Sequence, residues 1–293
     1  MSKIYLLLHI AVILAGFTGI FGKLITLNEG LLVWYRVLFS AIILFIITRF
    51  SKVNRPTTFG NKIDMAKTGM LITIHWVFFY ASIKYSNISI GVVCYCLTSF
   101  FTAIFKPMIE KKRVRISELL LSSLTLLGIS LIFHFDTSYR LGITLGIISS
   151  AFAALYTIFN ERLVRHHNTK TINYYQMMGG TVGLGLLLPA YLHFFPAETI
   201  IPDIRNSLYL ILLSLFCTVG LYILVSEILK KIPAFTVNLT FNLEPIYSII
   251  IAFLFFGESK EVNVSFYIGL ILIITPVVLQ SFITARQSLR IKG

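Results

Sequence analysis

The sequence predicts an all-α integral membrane protein with ten transmembrane helices. Two observations carry this prediction: the composition, and the number of long apolar runs. Of the 293 residues, 57% are hydrophobic and 13% are charged, whereas charged residues make up about a quarter of an ordinary soluble domain. A third observation, the distribution of Lys and Arg, predicts the orientation of the chain in the bilayer.

A helix needs about 20 mostly apolar residues to cross the hydrocarbon core of a bilayer. The first run that meets this requirement is too long for the core of a signal peptide and has no clear small-residue cleavage site, so we interpret it as a true span. Short polar or Pro/Gly-containing joints separate the runs. The ten predicted spans are residues 4–25, 31–48, 67–86, 88–109, 117–135, 140–163, 171–194, 206–229, 234–257 and 263–285.

The net charge of +13 follows from topology. If the N-terminus is cytoplasmic, most of the 25 Lys and Arg residues fall in cytoplasmic segments, and only Arg140, Arg205 and Lys260 fall in outer loops. By the positive-inside rule both termini are then cytoplasmic. We therefore expect the lipid bilayer as a partner and no nucleic acid. The lack of a long targeting extension suits a bacterial inner (plasma) membrane.

The two halves of the chain resemble each other weakly and in order. The segment "LLVWYRVLFSA" at 31–41 parallels "TINYYQMMGGT" at 171–181, and "LTSFFTAIF" at 97–105 parallels "NLEPIYSII" at 242–250. Each half holds five predicted spans, and an odd number places the second half upside down relative to the first. Inverted repeats are typical of secondary transporters, whose sites lie near the midplane where the halves meet.

This division predicts a first five-helix repeat at residues 1–136 and a second at residues 137–293. Near the start of the second repeat, small residues recur every four positions. Such a row permits close helix approach, and we expect it to form a contact between the two bundles. The row consists of Gly142, Gly146, Ser150 and Ala154.

The segments "NISIGVVCYCLTSFFTAIFKPMIEKKRV" from Asn87 and "AFTVNLTFNLEPIYSIIIAFLFFGES" at 234–259 resemble the EamA family of the drug/metabolite transporter superfamily. The resemblance covers nearly the whole chain. Its most specific motif is Glu244-Pro245 followed by Gly257-Glu258. The first half departs from this motif, because Ser99 stands near the position of the proline and "EKK" replaces "GE". The resemblance implies a membrane permease for small organic solutes, often an exporter of amino acids or other metabolites.

Glu244 is the most conspicuous polar residue within a predicted span. It follows Phe235 by nine residues, about 14 Å along a helix, which is close to the middle of the bilayer. A carboxylate there costs about 2.5 to 3.5 kcal/mol even on insertion scales, so it should face a cavity or a partner, or be protonated. Pro245 has no N–H to donate to the carbonyl of Phe241, which predicts a helix kink. The pair is a candidate solute or proton site, or a structural kink whose carboxylate binds neighbouring helices.

Three further polar residues within predicted spans are candidate site residues. Asn238 and Asn242 form an i, i+4 pair that can line the same cavity or hold helices together. Arg36 lies five residues into the second span. It can attract an anionic solute, pair with Glu244, or extend to the outer headgroups.

His75 and Trp76 fall near the middle of the third span. An imidazole beside a large aromatic ring suits proton coupling or recognition of an organic solute, although a single His in such a helix is also a common packing residue. Proton coupling through Glu244 or His75 is therefore a hypothesis. The candidate aromatic walls of the cavity are Tyr35, Tyr95, Tyr156, Tyr175 and Tyr222.

The sequence analysis predicts a secondary-active or facilitative transporter that moves a small organic solute by alternating access, with protons as a hypothetical coupling ion. No P-loop, H-E-x-x-H or dinucleotide motif occurs, so we expect no cofactor, no metal and no ATP-driven pumping by this chain alone. An intramembrane enzyme or lipid-handling protein, with His75 and Glu244 as acid and base, is the alternative. A receptor-like or structural membrane protein is a third.

Overall fold

The computed structural model describes residues 2–50, 58–133, 139–248 and 264–290, and within this part of the chain every regular element is helical. The first repeat contributes six helices and the second repeat the rest. The first-repeat helices are α1 (Ser2–Leu24), α2 (Glu29–Phe50), α3 (Phe59–Lys84), α4 (Ile88–Tyr95), α5 (Leu97–Glu110) and α6 (Ile116–Phe133). The second-repeat helices are α7 (Arg140–Leu163), α8 (Thr169–Phe194), α9 (Ile204–Ser214), α10 (Leu221–Leu229), α11 (Ala234–Thr240) and α12 (Val264–Arg290).

These helices lie where the sequence predicts apolar spans. Six helical stretches in the described residues are long and apolar enough to cross a membrane, and α6 and α12 contain shorter apolar stretches, Ile116–Leu131 and Tyr267–Gln280. An all-helical chain of this kind is an integral membrane protein. The six long stretches are Lys3–Leu24, Glu29–Phe50, Ile88–Glu110, Arg140–Leu163, Thr169–Phe194 and Ile204–Leu229. The Gly257-Glu258 motif lies outside the described residues.

Side chains that accept hydrogen bonds fix several helix starts. Asn87 accepts from the backbone N–H of Ile90 at the start of α4 (2.9 Å), and Asp203 accepts from that of Asn206 at the start of α9 (2.7 Å). Such N-cap residues satisfy donors that have no partner within the helix. The short joints seen in the sequence therefore also carry the signals that begin the next helix.

The fourth span of the first repeat is interrupted, which the sequence analysis did not predict. Residues 88–109, expected as one helix, form α4 and α5 with a break at Cys96. Around the break the backbone makes tight i→i−3 hydrogen bonds, from Cys96 to Val93 (3.1 Å) and from Ser99 to Cys96 (3.4 Å).

The corresponding span of the second repeat is also distorted. Helix α11 ends at Thr240 and continues as a 3₁₀ turn over Phe241–Leu243, after which residues 244–248 are helical again. The backbone N–H of Glu244 donates to the carbonyl of Phe241. This tighter bond replaces the one that Pro245, which has no N–H, is unable to make.

A third irregularity is a π-helical segment, Leu215–Gly220, which joins α9 to α10. In this segment Thr218 Oγ1 donates to the carbonyl of Leu213, five residues earlier (3.1 Å). Single π turns are rare within α-helices, and those that occur are often found at functional sites.

The two repeats pack closely against each other. Helix α7 lies against α3, α4 and α5, and α8 lies against α2 and α3. A Cβ atom placed on Gly142 would lie 2.7 Å from Ser86 Cβ, and one on Gly146 would lie 2.5 Å from Cys94 Cβ. The small-residue row of α7 thus permits the close approach between halves that its spacing predicts.

Candidate functional site

A small buried cavity lies between the two repeats. Helices α1, α3 and α4 form its first-repeat walls, and α7, α10, α11 and the following 3₁₀ turn form its second-repeat walls. Its volume is about 40 Å³, which is room for a few water molecules and far below the roughly 300 Å³ of a small organic ligand site. The lining residues are Ala15, Thr18, Ile72, His75, Trp76, Phe79, Tyr95, Ala153, Tyr156, Thr157, Leu221, Tyr222, Val225, Val237, Asn238, Phe241 and Glu244.

Glu244 lies on the wall of this cavity directly after the 3₁₀ turn. Its side chain is 3% exposed, and within the described ranges no hydrogen bond or ion pair reaches its carboxylate. A buried acid with no partner is costly. The position is therefore poorly explained by packing alone.

Asn238, Phe241 and Glu244 recur every three residues and all line the cavity. The 3₁₀ turn favours this spacing, since residues three apart align along a 3₁₀ helix. Asn242 is not part of this row. Its amide donates to Thr125 Oγ1 (3.2 Å) and Ser99 Oγ (3.5 Å), so the structure places Asn242 against α5 and α6 rather than on the cavity.

Arg36 is fully buried at 0% exposure, so it does not extend to the outer headgroups. Its guanidinium donates to Thr218 Oγ1 (2.7 Å), Tyr80 Oη (2.8 Å) and the carbonyl of Cys217 (2.9 Å). Two of these acceptors belong to the π segment. In the described part of the chain Arg36 makes no ion pair with Glu244. Arg36 therefore neither contacts the headgroups nor pairs with Glu244. Its side chain is instead bound inside the protein by Thr218 and Cys217, about 180 residues later in the chain.

Arg36 lies close to the cavity without lining it. Its guanidinium carbon is 3.7 Å from the ring centroid of Trp76, and Trp76 is itself a lining residue. This cation–π contact joins the buried cation of α2 to the aromatic wall.

His75 is fixed by α7. Its Nδ1 lies 3.0 Å from the carbonyl of Ser149, and Ser149 Oγ donates to the backbone carbonyl of His75 (3.0 Å). Ser149 Oγ also lies 2.8 Å from Nδ1, so both the hydroxyl and the carbonyl of Ser149 hold the ring against α7.

The predicted aromatic wall is present in part. Trp76 and Tyr222 are in edge contact at 5.2 Å between ring centroids, Tyr156 and Tyr222 are 5.7 Å apart, and Tyr95 lies 6.4 Å from Phe241. Tyr35 and Tyr175 lie elsewhere, and the hydroxyl of Tyr35 donates to the carbonyl of Ile200 on an exposed surface. The structure thus brings seven predicted site residues together: Glu244, Asn238, His75, Trp76, Tyr95, Tyr156 and Tyr222.

Sequence reasoning missed a buried polar seam that starts at the cavity. The hydroxyl of Tyr156 reaches Gln176 Oε1 (3.4 Å), and Gln176 Nε2 donates to Asn160 Oδ1 (3.0 Å). Asn160 and Asn173 then both donate to Ser226 Oγ (3.3 and 3.0 Å). The sequence signal for this seam was the presence of amide side chains within the predicted spans 140–163 and 171–194.

An ionic cluster at one end of the bundle was also missed. Glu161 of α7 pairs with Lys106 of α5 (2.6 Å) and Arg165 (2.9 Å), and its carboxylate accepts from the backbone N–H of Ala234 at the start of α11 (3.2 Å). Glu161 therefore ties the helix after the first interruption to the helix before the second. Among the described residues, no cluster of three His, Cys, Asp or Glu side chains could hold a metal ion.

The fold and cavity define a helical membrane protein with a buried site between two repeats. The chain belongs to the EamA-like transporter family, whose pattern matches residues 2–134 and, a second time, residues 140–282. An uncharacterized transporter from Clostridium kluyveri is 24% identical over 291 residues, covering 94% of this chain and 91% of that protein. These matches support a membrane transporter in general and point away from an enzyme.

A solved crystal structure of another protein has the same fold. Its TM-score is 0.71 at 14% sequence identity, and the match covers 98% of this chain and 99% of that chain. At this identity the likeness concerns the fold alone.

Proposed function

We propose that the protein is a secondary-active or facilitative permease, or exporter, of a small organic metabolite such as an amino acid, and that the cavity is its solute site. The observation that carries this proposal is Glu244: a buried carboxylate without a partner among the described residues, on the wall of a cavity shared by both halves. Ionisable residues at membrane depth are rare and costly, and they typically mark solute and ion pathways.

The cavity of about 40 Å³ is too small for an organic solute, so the described state is contracted. Alternating access requires that the repeats move apart to admit the solute. Interrupted helices in corresponding positions of two repeats are typical of transporter binding sites, and both interruptions border this cavity. They support an arrangement of two inverted repeats. The proposal of five helices in each repeat, ten spans and both termini on the cytoplasmic side of a bacterial inner membrane rests on the apolar runs and the distribution of Lys and Arg.

Protons are the proposed coupling ion, and Glu244 is the proposed carrier. A carboxyl group that loses its proton when it faces water, and regains it when it is enclosed, would bind solute and proton alternately. His75 lines the same cavity, but its Nδ1 is engaged with Ser149, which makes it the weaker candidate. Exchange or facilitated diffusion is the competing mode of transport.

The test is flux of a panel of labelled amino acids and other metabolites into proteoliposomes. Wild type is compared with Glu244→Gln, with and without an imposed pH gradient. Glu118→Gln, a partly exposed acid paired with Arg115 at the start of α6 (3.2 Å), is the matched control. We expect gradient-dependent flux in wild type and in the control, and its loss in Glu244→Gln.

Three other outcomes would change the proposal. Flux that ignores the pH gradient would exclude proton coupling and leave facilitated transport. Unchanged flux in a folded Glu244→Gln protein would exclude Glu244 as the coupling residue. Absence of flux for every solute tested would contradict transport itself.

A further inference from the structure

We infer that the transported solute carries a positively charged nitrogen, an ammonium group on an apolar or aromatic body. This inference rests on the proposed function, since it assigns a substrate class to the same cavity. Three features of the cavity wall carry it: the sign of its charge, its aromatic rings, and the direction of its hydrogen bonds.

The first feature is charge. Glu244 is the carboxylate of the described lining, and neither Lys nor Arg is among those lining residues. The nearest candidate cation, Arg36, already donates to Thr218, Tyr80 and the Cys217 carbonyl and does not line the cavity. An anionic solute would have to approach Glu244 without a cation to receive it, whereas a cationic solute would supply the charge that Glu244 lacks.

The second feature is the set of aromatic rings around the carboxylate. Tyr95, Tyr222 and Phe241 line the cavity with Glu244, and the face of an aromatic ring attracts a cation within about 6 Å. Trp76 contributes less to such a cage, because Arg36 already lies 3.7 Å from its ring centroid and two cations on one ring repel each other. We therefore assign the cage to Tyr95, Tyr222 and Phe241.

The third feature is that polar groups of the wall offer acceptors. Thr157 donates its hydroxyl hydrogen to the carbonyl of Ala153 (2.9 Å), and Asn238 uses its amide nitrogen to donate to Thr102 Oγ1 (2.8 Å). The oxygens of Thr157 and of the Asn238 amide, and the carboxylate of Glu244, accept no hydrogen bond from another described residue and are free to accept one from a solute. An ammonium group, which has N–H donors and no acceptor, matches such a wall. A solute carboxylate, which only accepts, finds hydroxyls such as those of Tyr95 and Tyr222 but no cation in the described lining.

The test is binding of matched solutes to the purified full-length protein, measured by the change in tryptophan fluorescence. Two sets share a body and differ in one group: 2-phenylethylammonium, 2-phenylethanol and 3-phenylpropionate, and the butyl series of ammonium, alcohol and carboxylate. In at least one set we expect the ammonium to bind about tenfold or more tightly than the alcohol, and the carboxylate to bind least. The wild-type ranking alone decides this point, even if a variant fails to fold.

Variants then assign the preference to named side chains. Glu244→Gln should bring the ratio of ammonium to alcohol affinity close to one. Tyr95→Leu should reduce the ratio about threefold, because one ring of the cage is lost. Glu118→Gln should leave the ratio as in wild type.

Four results would overturn the inference. They are an ammonium preference that survives Glu244→Gln, equal binding of the three groups, tighter binding of the carboxylate, and no ammonium binding in either set. Flux of neutral or anionic metabolites without an ammonium preference would do the same while leaving transport intact. Ammonium binding without flux of any solute would instead support the substrate class and contradict the proposed transport.

Discussion

The two interrupted helices beside the cavity share a position in their repeats but differ in chemistry. The break at Cys96 separates α4 from α5 with no proline or carboxylate at the break. The 3₁₀ turn Phe241–Leu243 is followed at once by Glu244 and Pro245. The segment at 97–105 parallels the one at 242–250, which aligns Ser99 with Glu244.

This difference shows how a duplicated architecture can become unequal. Both interruptions place an aromatic residue on the cavity, Tyr95 before the first and Phe241 within the second. The carboxylate comes from the second alone. Ser99 is fully buried and donates its hydroxyl to the carbonyl of Cys96 (3.0 Å), so its side chain completes the local backbone bonding and does not line the cavity.

Moving the carboxylate from one interruption to the other should break the site, and this is the largest effect we expect. Glu244→Ser should lower flux about a hundredfold. Adding Ser99→Asp should not restore flux, because displacing a functional group by about an ångström can lower a rate about a hundredfold. The measurement is proteoliposome flux of the best solute in the panel.

Ser99→Ala is the matched control for this exchange, and we expect its flux to stay within about twofold of wild type since only one hydrogen bond is lost. Size-exclusion elution shows whether each variant is folded. Recovery of flux in the double variant would mean that the two interruptions are interchangeable.

The comparison also extends to Arg36 and Gln176, which occupy aligned positions in the two halves. Both are fully buried. Arg36→Met removes three hydrogen bonds from a charged donor, but it also removes the cost of burying a cation. We expect the net result to be a fall of about 3 kcal/mol in the free energy of unfolding. Gln176→Leu should cost about 1 kcal/mol.

Denaturant unfolding of the purified protein measures both values. Arg205→Met, a change at an exposed arginine, should leave stability unchanged and serves as the control. Equal losses for Arg36→Met and Gln176→Leu would show that the charge of Arg36 adds nothing to the contact with the π segment.

The last comparison concerns the packing of α7 on the first interruption. A Cβ atom on Gly146 would lie 2.5 Å from Cys94 Cβ and 3.0 Å from Ser82 Oγ, so Gly146→Ala should lower the free energy of unfolding by about 1 to 3 kcal/mol. Gly60, whose added Cβ would meet no described atom within 4 Å, is the control. Gly60→Ala should be neutral or stabilising by up to about 1 kcal/mol. A neutral Gly146→Ala would mean that α4 can move away from α7 at little cost.

The positions of the helices could be predicted from the sequence because apolar runs and polar joints are local signals. The break at Cys96 could not, since "CYCLT" contains neither proline nor glycine and the local sequence alone favours a continuous helix. The π segment "LFCTVG" ends in a glycine, but its sequence does not predict a π turn either. Arg36, from a distant part of the chain, donates to the carbonyl of Cys217 and to Thr218 Oγ1, and these tertiary contacts are not visible in the local sequence.

Part of the candidate site could be predicted from how deep its polar residues lie in the membrane. Glu244, His75 and Trp76 lie near the middle of their spans, and the structure brings them to one cavity. Depth says nothing about the direction in which a side chain points, and for that reason Arg36 and Asn242 were grouped with the others. Their actual partners, Thr218 for Arg36 and Thr125 for Asn242, lie in other helices and are set by tertiary packing.

The π segment Leu215–Gly220 also has a consequence for chain length in evolution. A π turn holds about one residue more than an α turn, so deleting a single residue there would restore a regular helix with little displacement of α9 or α10. The deletion would remove the acceptors that bind Arg36 and leave a buried cation without partners. Among relatives, loss of one residue from this segment and loss of the arginine of α2 should therefore occur together.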